Sequence, residues 1–248
     1  MKQVTWIVLG YLGLLAFPAH ANDNITVQLG NVYEKYHTVK TTFPDERLEL
    51  LIELDKKLRT LIDKPWTQHR KTIDGYKYWK KEYQDIGVKI GHYSDSPEYT
   101  GKFLIEAKAL DVGSKHGEYT NYADICNGAG SFGGCYMPNI EAALVYEEKY
   151  PNGPFIADVL IIIGNFYDDL YKAIKDKDSA DYKNDCFSKY VTEKPIPDQM
   201  EHARKSAIEY YTKFLALHSD NNASNKTIRE WVLELKAHNS SGWHFCSD

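Results

Sequence analysis

Phe155-Ile-Ala-Asp-Val-Leu-Ile-Ile-Ile-Gly-Asn-Phe-Tyr-Asp-Asp-Leu-Tyr-Lys-Ala-Ile-Lys175 is the stretch of sequence that decides the fold class. Its apolar residues recur every three or four positions, which is the period of one face of an α-helix. This face consists of Leu160, Ile163, Tyr167, Leu170 and Ile174. Because Ile161 and Ile162 add apolar side chains outside it, we expect much of the helix to be buried.

Helices are predicted on both sides of this stretch. Towards the C-terminus, 198–218 carries a strong helical pattern, and Ile228 to Leu235 marks a last helix. Towards the N-terminus, the sequence predicts helices over 139–150 and 118–126. A further helix opens at Ser96-Pro97-Glu98 and carries Phe103, Leu104, Ala107 and Leu110 on one face.

The first hundred residues contain one clear helix and two weaker signals. Pro44 lies at the first turn of a helix whose leucines share a face, and Pro65 ends it. The segment 22–40 is either a flexible entry or a first helix. The alternation over 88–93 predicts a short strand or an extended connection. With so little strand signal, we predict an all-α fold, with helical regions at 22–95 and 96–248.

The first 21 residues are typical of a cleavable export signal. Lys2 precedes an apolar stretch from Val4 to Phe17, and Ala19-His20-Ala21 has the small-x-small pattern of a cleavage site. The stretch is shorter than the ~20 residues of a membrane span. We therefore expect cleavage after Ala21, a periplasmic or secreted protein, and no membrane span once the signal is removed.

Charge and cysteine content narrow the possibilities further. The formal net charge is −5, which disfavours nucleic acid as a partner because phosphate binding needs a basic surface. Four cysteines in an exported chain suggest disulfide bonds, which allow three pairings. They are Cys126, Cys135, Cys186 and Cys246. We favour Cys126–Cys135 with Cys186–Cys246, since the first pair brackets a short glycine-rich loop. Their spacing argues against a zinc site.

An aromatic and basic segment is the candidate ligand contact. Tyr76, Tyr78, Trp79 and Tyr83 alternate with lysines, and such rings can stack on sugars or bases. The alternative is a helix that packs these rings inward. The carboxylate pairs Glu147-Glu148 and Asp168-Asp169 are interpreted as solvated helix faces, because adjacent residues of a helix point in different directions. No nucleophile with an identifiable base, cofactor motif or metal spacing is found.

One sequence pattern occurs twice, 41 residues apart. Tyr119-x2-Tyr122-Ala123-x2-Cys126 is matched by Leu160-x2-Ile163-Gly164-x2-Tyr167. This pattern resembles the first helix of the tetratricopeptide repeat. Ala142-x3-Tyr146 and Ala207-x3-Tyr211 resemble the second helix of that repeat. The small fifth position would let a partner helix approach closely.

The resemblance covers roughly residues 97–236, and the turn at 150–154 is similar to those of periplasmic proteins with such repeats. It implies antiparallel hairpins stacked in a short right-handed array, with a concave groove that binds a protein or peptide. It implies neither cofactor nor catalytic group. Our hypothesis is an exported, non-catalytic scaffold for an envelope partner. Two alternatives stay open: an enzyme or module that acts on or binds the cell wall, and a secreted inhibitor or effector that uses the loop 126–135.

Overall fold

The computed structural model of the chain describes residues 25–38, 43–62, 81–90, 97–126, 130–131, 134–135, 138–176, 187, 190, 196–218 and 223–241. These residues are predominantly helical, which confirms the predicted all-α class. The helices are α1 (Ile25–Thr38), α2 (Pro44–Ile62), α3 (Lys81–Asp85), α4 (Lys102–Leu110), α5 (Gly117–Thr120), α6 (Ala123–Cys126), α7 (Ile140–Lys149), α8 (Ile156–Lys175), α9 (Ile196–Leu217) and α10 (Ala223–Lys236).

Two small antiparallel pairs of strands interrupt the helices. Strand β1 (Val88–Ile90) pairs with β2 (Pro97–Tyr99), so the described part of the alternation over 88–93 is a strand. Strand β3 (Gly130–Ser131) pairs with β4 (Gly134–Cys135) inside the glycine-rich loop. The predicted helix start at Ser96-Pro97-Glu98 is wrong, because Pro97 lies in β2. The helix begins only after Gly101, whose φ of 72° is a left-handed conformation open to glycine.

The C-terminal helices share one hydrophobic cluster. Helix α8 is buried over most of its surface, as its apolar composition predicts. Helix α9 packs along it in the antiparallel sense, because Gly164 lies opposite Tyr211 while Tyr171 lies near Arg204. Helix α10 then returns along α9, with Trp231 near Tyr211 and Leu235 near Arg204. The core of this region is therefore a set of antiparallel neighbours.

A second cluster lies around α2. Its members come from α1, α2, the β1–β2 pair and α4, and they include Leu51, Leu54, Leu58 and Phe103. The two clusters meet on α4, because Phe103 belongs to the N-terminal cluster while Leu104 belongs to the C-terminal one. Tyr119 packs against both. Helix α4 is thus the element that the two halves of the core share.

Some of the residues that carry the resemblance to the repeat lie in the core, and others do not. A Cβ on Gly164 would lie 2.7 Å from the Tyr211 ring, which confirms that the small position allows close helix approach. Tyr122, Tyr146 and Tyr211 are buried. The predicted helix 118–126 is wrong as a continuous element: α5 ends at Thr120, and α6 begins at Ala123 after a turn. The stacked array of repeats stays a prediction.

Candidate functional site

An open groove of about 440 Å³ lies where the β1–β2 pair meets the outer face of α4. We call it the β1–α4 groove. Its walls are mainly apolar, and charged or polar ends stand at its rim. It is lined by Gln84, Gly87, Val88, Lys89, Thr100, Lys102, Ile105 and Glu106. The volume falls within the ~300–1,000 Å³ typical of ligand sites.

Gly87 brings the walls of the groove together. Its φ is 79°, and a Cβ at this position would lie 2.6 Å from the Cβ of Lys102 and 2.8 Å from the Thr100 hydroxyl. Only glycine therefore allows the turn before β1 to approach the start of α4 so closely. The Gly87 carbonyl accepts a hydrogen bond from the Thr100 N–H at 2.8 Å, which closes the base of the strand pair.

The backbone of β1 is covered where it borders this groove. Residues of an antiparallel pair alternate between those that exchange hydrogen bonds and those whose N–H and C=O point outward. Gly87 bonds to Thr100, so Val88, the next residue, directs its backbone groups away from β2. Val88 as a whole is 0% exposed and belongs to the N-terminal cluster, so these groups do not reach the surface. The groove therefore offers side-chain contacts to a ligand.

A network of charges supports the α4 side of the groove. Both carboxylate oxygens of Glu106 accept from the Tyr36 hydroxyl, at 2.9 and 3.1 Å. Arg47 and Lys102 each lie 3.7 Å from the same carboxylate. Burial and the neighbouring Glu106 raise the pKa of Tyr36. The Lys102 ammonium also donates to the Asp85 carbonyl at 2.6 Å. Helices α1, α2 and α4 thus hold the rim groups in place.

Ile105 is the apolar group that the groove offers to a ligand. Its side chain is 42% exposed, although it sits on a helix whose opposite face is in the core. Because Glu106 is already engaged by Tyr36, the lining supports recognition by apolar contact and by the rim side chains of Lys89 and Lys102.

The sequence did not indicate these residues. The predicted helix beginning near residue 97 placed Phe103, Leu104 and Ala107 correctly on a buried face, but Leu110 is 36% exposed. It gave no role to Ile105 and Glu106 on the other face. Of the predicted ligand contacts, Tyr83 packs into the N-terminal cluster and is only 3% exposed. That is the inward packing weighed as the alternative. Tyr76, Tyr78 and Trp79 lie outside the described residues, as do the export signal and the cysteine side chains.

Asp168 and Asp169 do not form the solvated face that the sequence suggested, since each is only 1% exposed. Oδ2 of Asp168 accepts from the Tyr211 hydroxyl at 3.1 Å and from the Ser241 hydroxyl. The Tyr211 hydroxyl also lies 2.8 Å from Oδ1 of Asn165. This buried polar cluster joins α8, α9 and the segment after α10, and its partners lie 43 and 73 residues away in sequence.

The surface of α7–α9 carries a column of stacked side chains. The Tyr167 and Tyr210 rings are nearly parallel, at 12°, with their centroids 6.1 Å apart. The Lys213 ammonium lies 4.6 Å from the Tyr210 centroid and 3.0 Å from the Glu147 carboxylate. The column ties α7 to α9. Its ring faces are already covered, which leaves it less suited to ligand binding than the β1–α4 groove.

Comparison of the chain with protein-family models, with curated proteins and with solved structures finds no match. No helix among the described residues is both long and apolar enough to span a membrane.

Proposed function

We propose that this protein is an exported, non-catalytic helical scaffold that binds a polypeptide partner of the cell envelope through the β1–α4 groove. The observation that carries the proposal is the exposed side chain of Ile105 in an apolar groove with charged side chains at its rim. A polypeptide supplies both complements, because an apolar side chain can cover Ile105 while a neighbouring polar group meets the charged rim.

Charge suggests which sequence the bound segment carries. Among the described lining residues, Lys89 and Lys102 are the cations and Glu106 is the carboxylate, which Arg47 and Lys102 balance. A segment with an acidic residue beside its apolar anchor would therefore be favoured over a basic one. The export signal predicted over 1–21 supports an encounter in the periplasm or outside the cell.

The test uses a peptide selected on the purified mature protein, residues 22–248, from a random-peptide display library. Binding is measured for the wild type, Ile105→Gln and the matched control Val145→Gln. Val145 is 46% exposed on α7, so both changes replace a half-exposed apolar side chain on a helix. We expect Ile105→Gln to weaken binding about tenfold or more, as the loss of one buried aliphatic contact predicts, and Val145→Gln to leave it unchanged.

Methyl resonances supply a second readout for the groove. Binding of the peptide should shift the methyl resonances of Ile105, whereas those of Ile162, buried in the middle of α8, should not change. Equal loss of binding in both variants, or Ile105 methyl resonances that the peptide leaves unshifted, would contradict the proposal. Retention of the protein on isolated cell-wall material, without selectable peptides, would favour the cell-wall alternative.

A further inference from the structure

Arg59 has an unusual environment on α2. Its Nε donates to Oδ2 of Asp55, one helical turn earlier, at 2.7 Å. Neither Nη1 nor Nη2 hydrogen-bonds to any residue that the structure describes. The Arg59 side chain is 28% exposed, so it reaches solvent, whereas Asp55 is 1% exposed. The two NH2 groups thus form a fork with no acceptor among the described residues.

Asp55 holds this fork in one orientation. Because the carboxylate takes the Nε–H, the paired Nη groups are the donors left for a ligand. Burial alone would lower the pKa of Arg59, but the charge and hydrogen bond of Asp55 raise it above its ordinary value. The other oxygen of Asp55, Oδ1, is buried and makes no hydrogen bond. The pair is therefore fixed from behind by a group that solvent does not reach.

Aromatic rings surround the guanidinium. Its central carbon lies 5.1 Å from the Phe155 ring, 5.4 Å from Tyr122 and 5.6 Å from Tyr99. The Tyr122 and Phe155 rings stack on each other with centroids 4.3 Å apart. These rings cover part of the guanidinium and leave the rest open to solvent. Tyr99 belongs to the N-terminal cluster, and Tyr122 and Phe155 belong to the C-terminal cluster. Both clusters therefore contribute to the site.

A second cation lies on the same helix. Lys56 is three residues before Arg59 on α2, and its ammonium stands 4.0 Å from the centroid of the Tyr119 ring. Tyr119 in turn packs edge-on against Phe155, which lies beside the guanidinium. Lys56 is exposed, and Tyr119 is half-buried. The acids near these rings are Asp55, which contacts the guanidinium, and Asp158, whose charge raises the pKa of Tyr122.

We propose that Arg59 and Lys56 form a binding site for a carboxylate, with the Nη fork of Arg59 as its bidentate partner and Tyr119 beside it. A guanidinium fork matches the two oxygens of a planar carboxylate better than it matches a spherical ion. The carboxylate can belong to a small organic acid or to an acidic side chain of a polypeptide. The site shares no lining residue with the β1–α4 groove, so it can be tested independently of the proposed function.

The experiment is a titration of the purified mature protein in low-chloride buffer, followed by nuclear magnetic resonance. Benzoate, acetate and chloride are the small probes, and an acetylated, amidated peptide with one glutamate is the polypeptide probe. We expect benzoate to saturate and to shift the amides around Arg59 and Tyr119, with chloride much weaker. Saturation by the glutamate peptide at lower concentration than benzoate would identify a polypeptide as the source of the carboxylate.

Arg59→Lys is the decisive variant, because it keeps the positive charge and loses the fork. We expect it to weaken benzoate binding by about tenfold, and Lys56→Gln to weaken it by a few-fold. Lys57→Gln changes a neighbouring exposed lysine and should have no effect. Because Arg59 contacts both cores, the nuclear magnetic resonance spectrum of Arg59→Lys is used to check that this variant is folded. If Arg59→Lys unfolds, Lys56→Gln still tests the proposal. Absence of saturable benzoate binding, or equal affinity in the wild type and Lys56→Gln, overturns the proposal.

Discussion

Gly164 shows how a single missing side chain sets the distance between two helices. A Cβ there would lie 2.7 Å from two carbons of the Tyr211 ring, and Tyr211 is fully buried. We expect Gly164→Ala to lower the free energy of unfolding by about 1–3 kcal/mol, because the ring or the backbone must shift. This loss opposes the gain of about 1 kcal/mol that alanine brings to a helix interior. Urea unfolding of the variant and the wild type measures the change in the free energy of unfolding.

Gly30 on α1 provides the matched control. A Cβ at this position meets no atom within 4 Å, so Gly30→Ala changes helix propensity without a clash. We expect this variant to be more stable than the wild type by about 0.5–1 kcal/mol. If both alanine variants changed stability in the same direction, packing against Tyr211 would not be the deciding effect at Gly164.

Asp168 makes stability depend on pH in an unusual direction. Burial raises its pKa, although hydrogen bonds from Ser241 and Tyr211 partly offset this effect. The folded protein therefore holds the Asp168 proton more tightly than the unfolded chain does. This contribution is fully present below the unfolded pKa of about 3.9 and is lost as the pH rises through the higher folded pKa.

Asp168→Asn removes this titration and keeps an oxygen that can accept from Tyr211. We expect the variant to gain stability relative to the wild type as the pH rises from about 4 to 8, since the asparagine pays no cost of buried charge. The measurement is urea unfolding of both proteins across this range. Two stability curves that run parallel would show that Asp168 does not titrate differently in the folded state.

At the scale of the element, α7 begins at a well-defined cap. Oδ1 of Asn139 accepts a hydrogen bond from the Ala142 N–H at 3.2 Å. Asn139→Ala should therefore lower the free energy of unfolding by about 1 kcal/mol, and Asn139→Asp should retain most of it. Asn152→Ala, in the exposed turn between α7 and α8, is the control. Equal stability of the Asn139→Ala and Asn152→Ala variants in thermal unfolding would contradict a capping role.

The elements that the sequence predicted well are those with a long and regular period. Helices α2, α7, α8 and α9 lie close to their predicted positions, because each repeats its apolar spacing over several turns and local spacing alone indicates a helix. Strand β2 was missed because Ser96-Pro97-Glu98 has the local pattern of a helix start. Its pairing with β1 and the left-handed Gly101 depend on tertiary contacts that the pattern does not contain.

At the scale of the whole molecule, the candidate site could not be predicted for the same reason. The groove joins Gly87 and Val88 to α4, and Tyr36 of α1 supports it from far along the chain. The buried position of Asp168 likewise depends on Tyr211 and Ser241. When the hydrogen-bond donors to a side chain lie tens of residues away, the local sequence pattern predicts that the side chain is solvated. Only the folded chain brings the donors to it.

Helix α4 belongs to both cores, so a partner bound to its outer face affects the stability of both. Phe103 belongs to one cluster, Leu104 to the other, and Ile105 to the groove, so three successive residues of one helix have three different surroundings. A ligand that binds only the folded groove stabilises it by mass action. Because α4 cannot detach from one core alone without disturbing the other, that stabilisation reaches helices that the ligand never touches, and occupancy of the groove can be read as a shift in the melting of the entire chain.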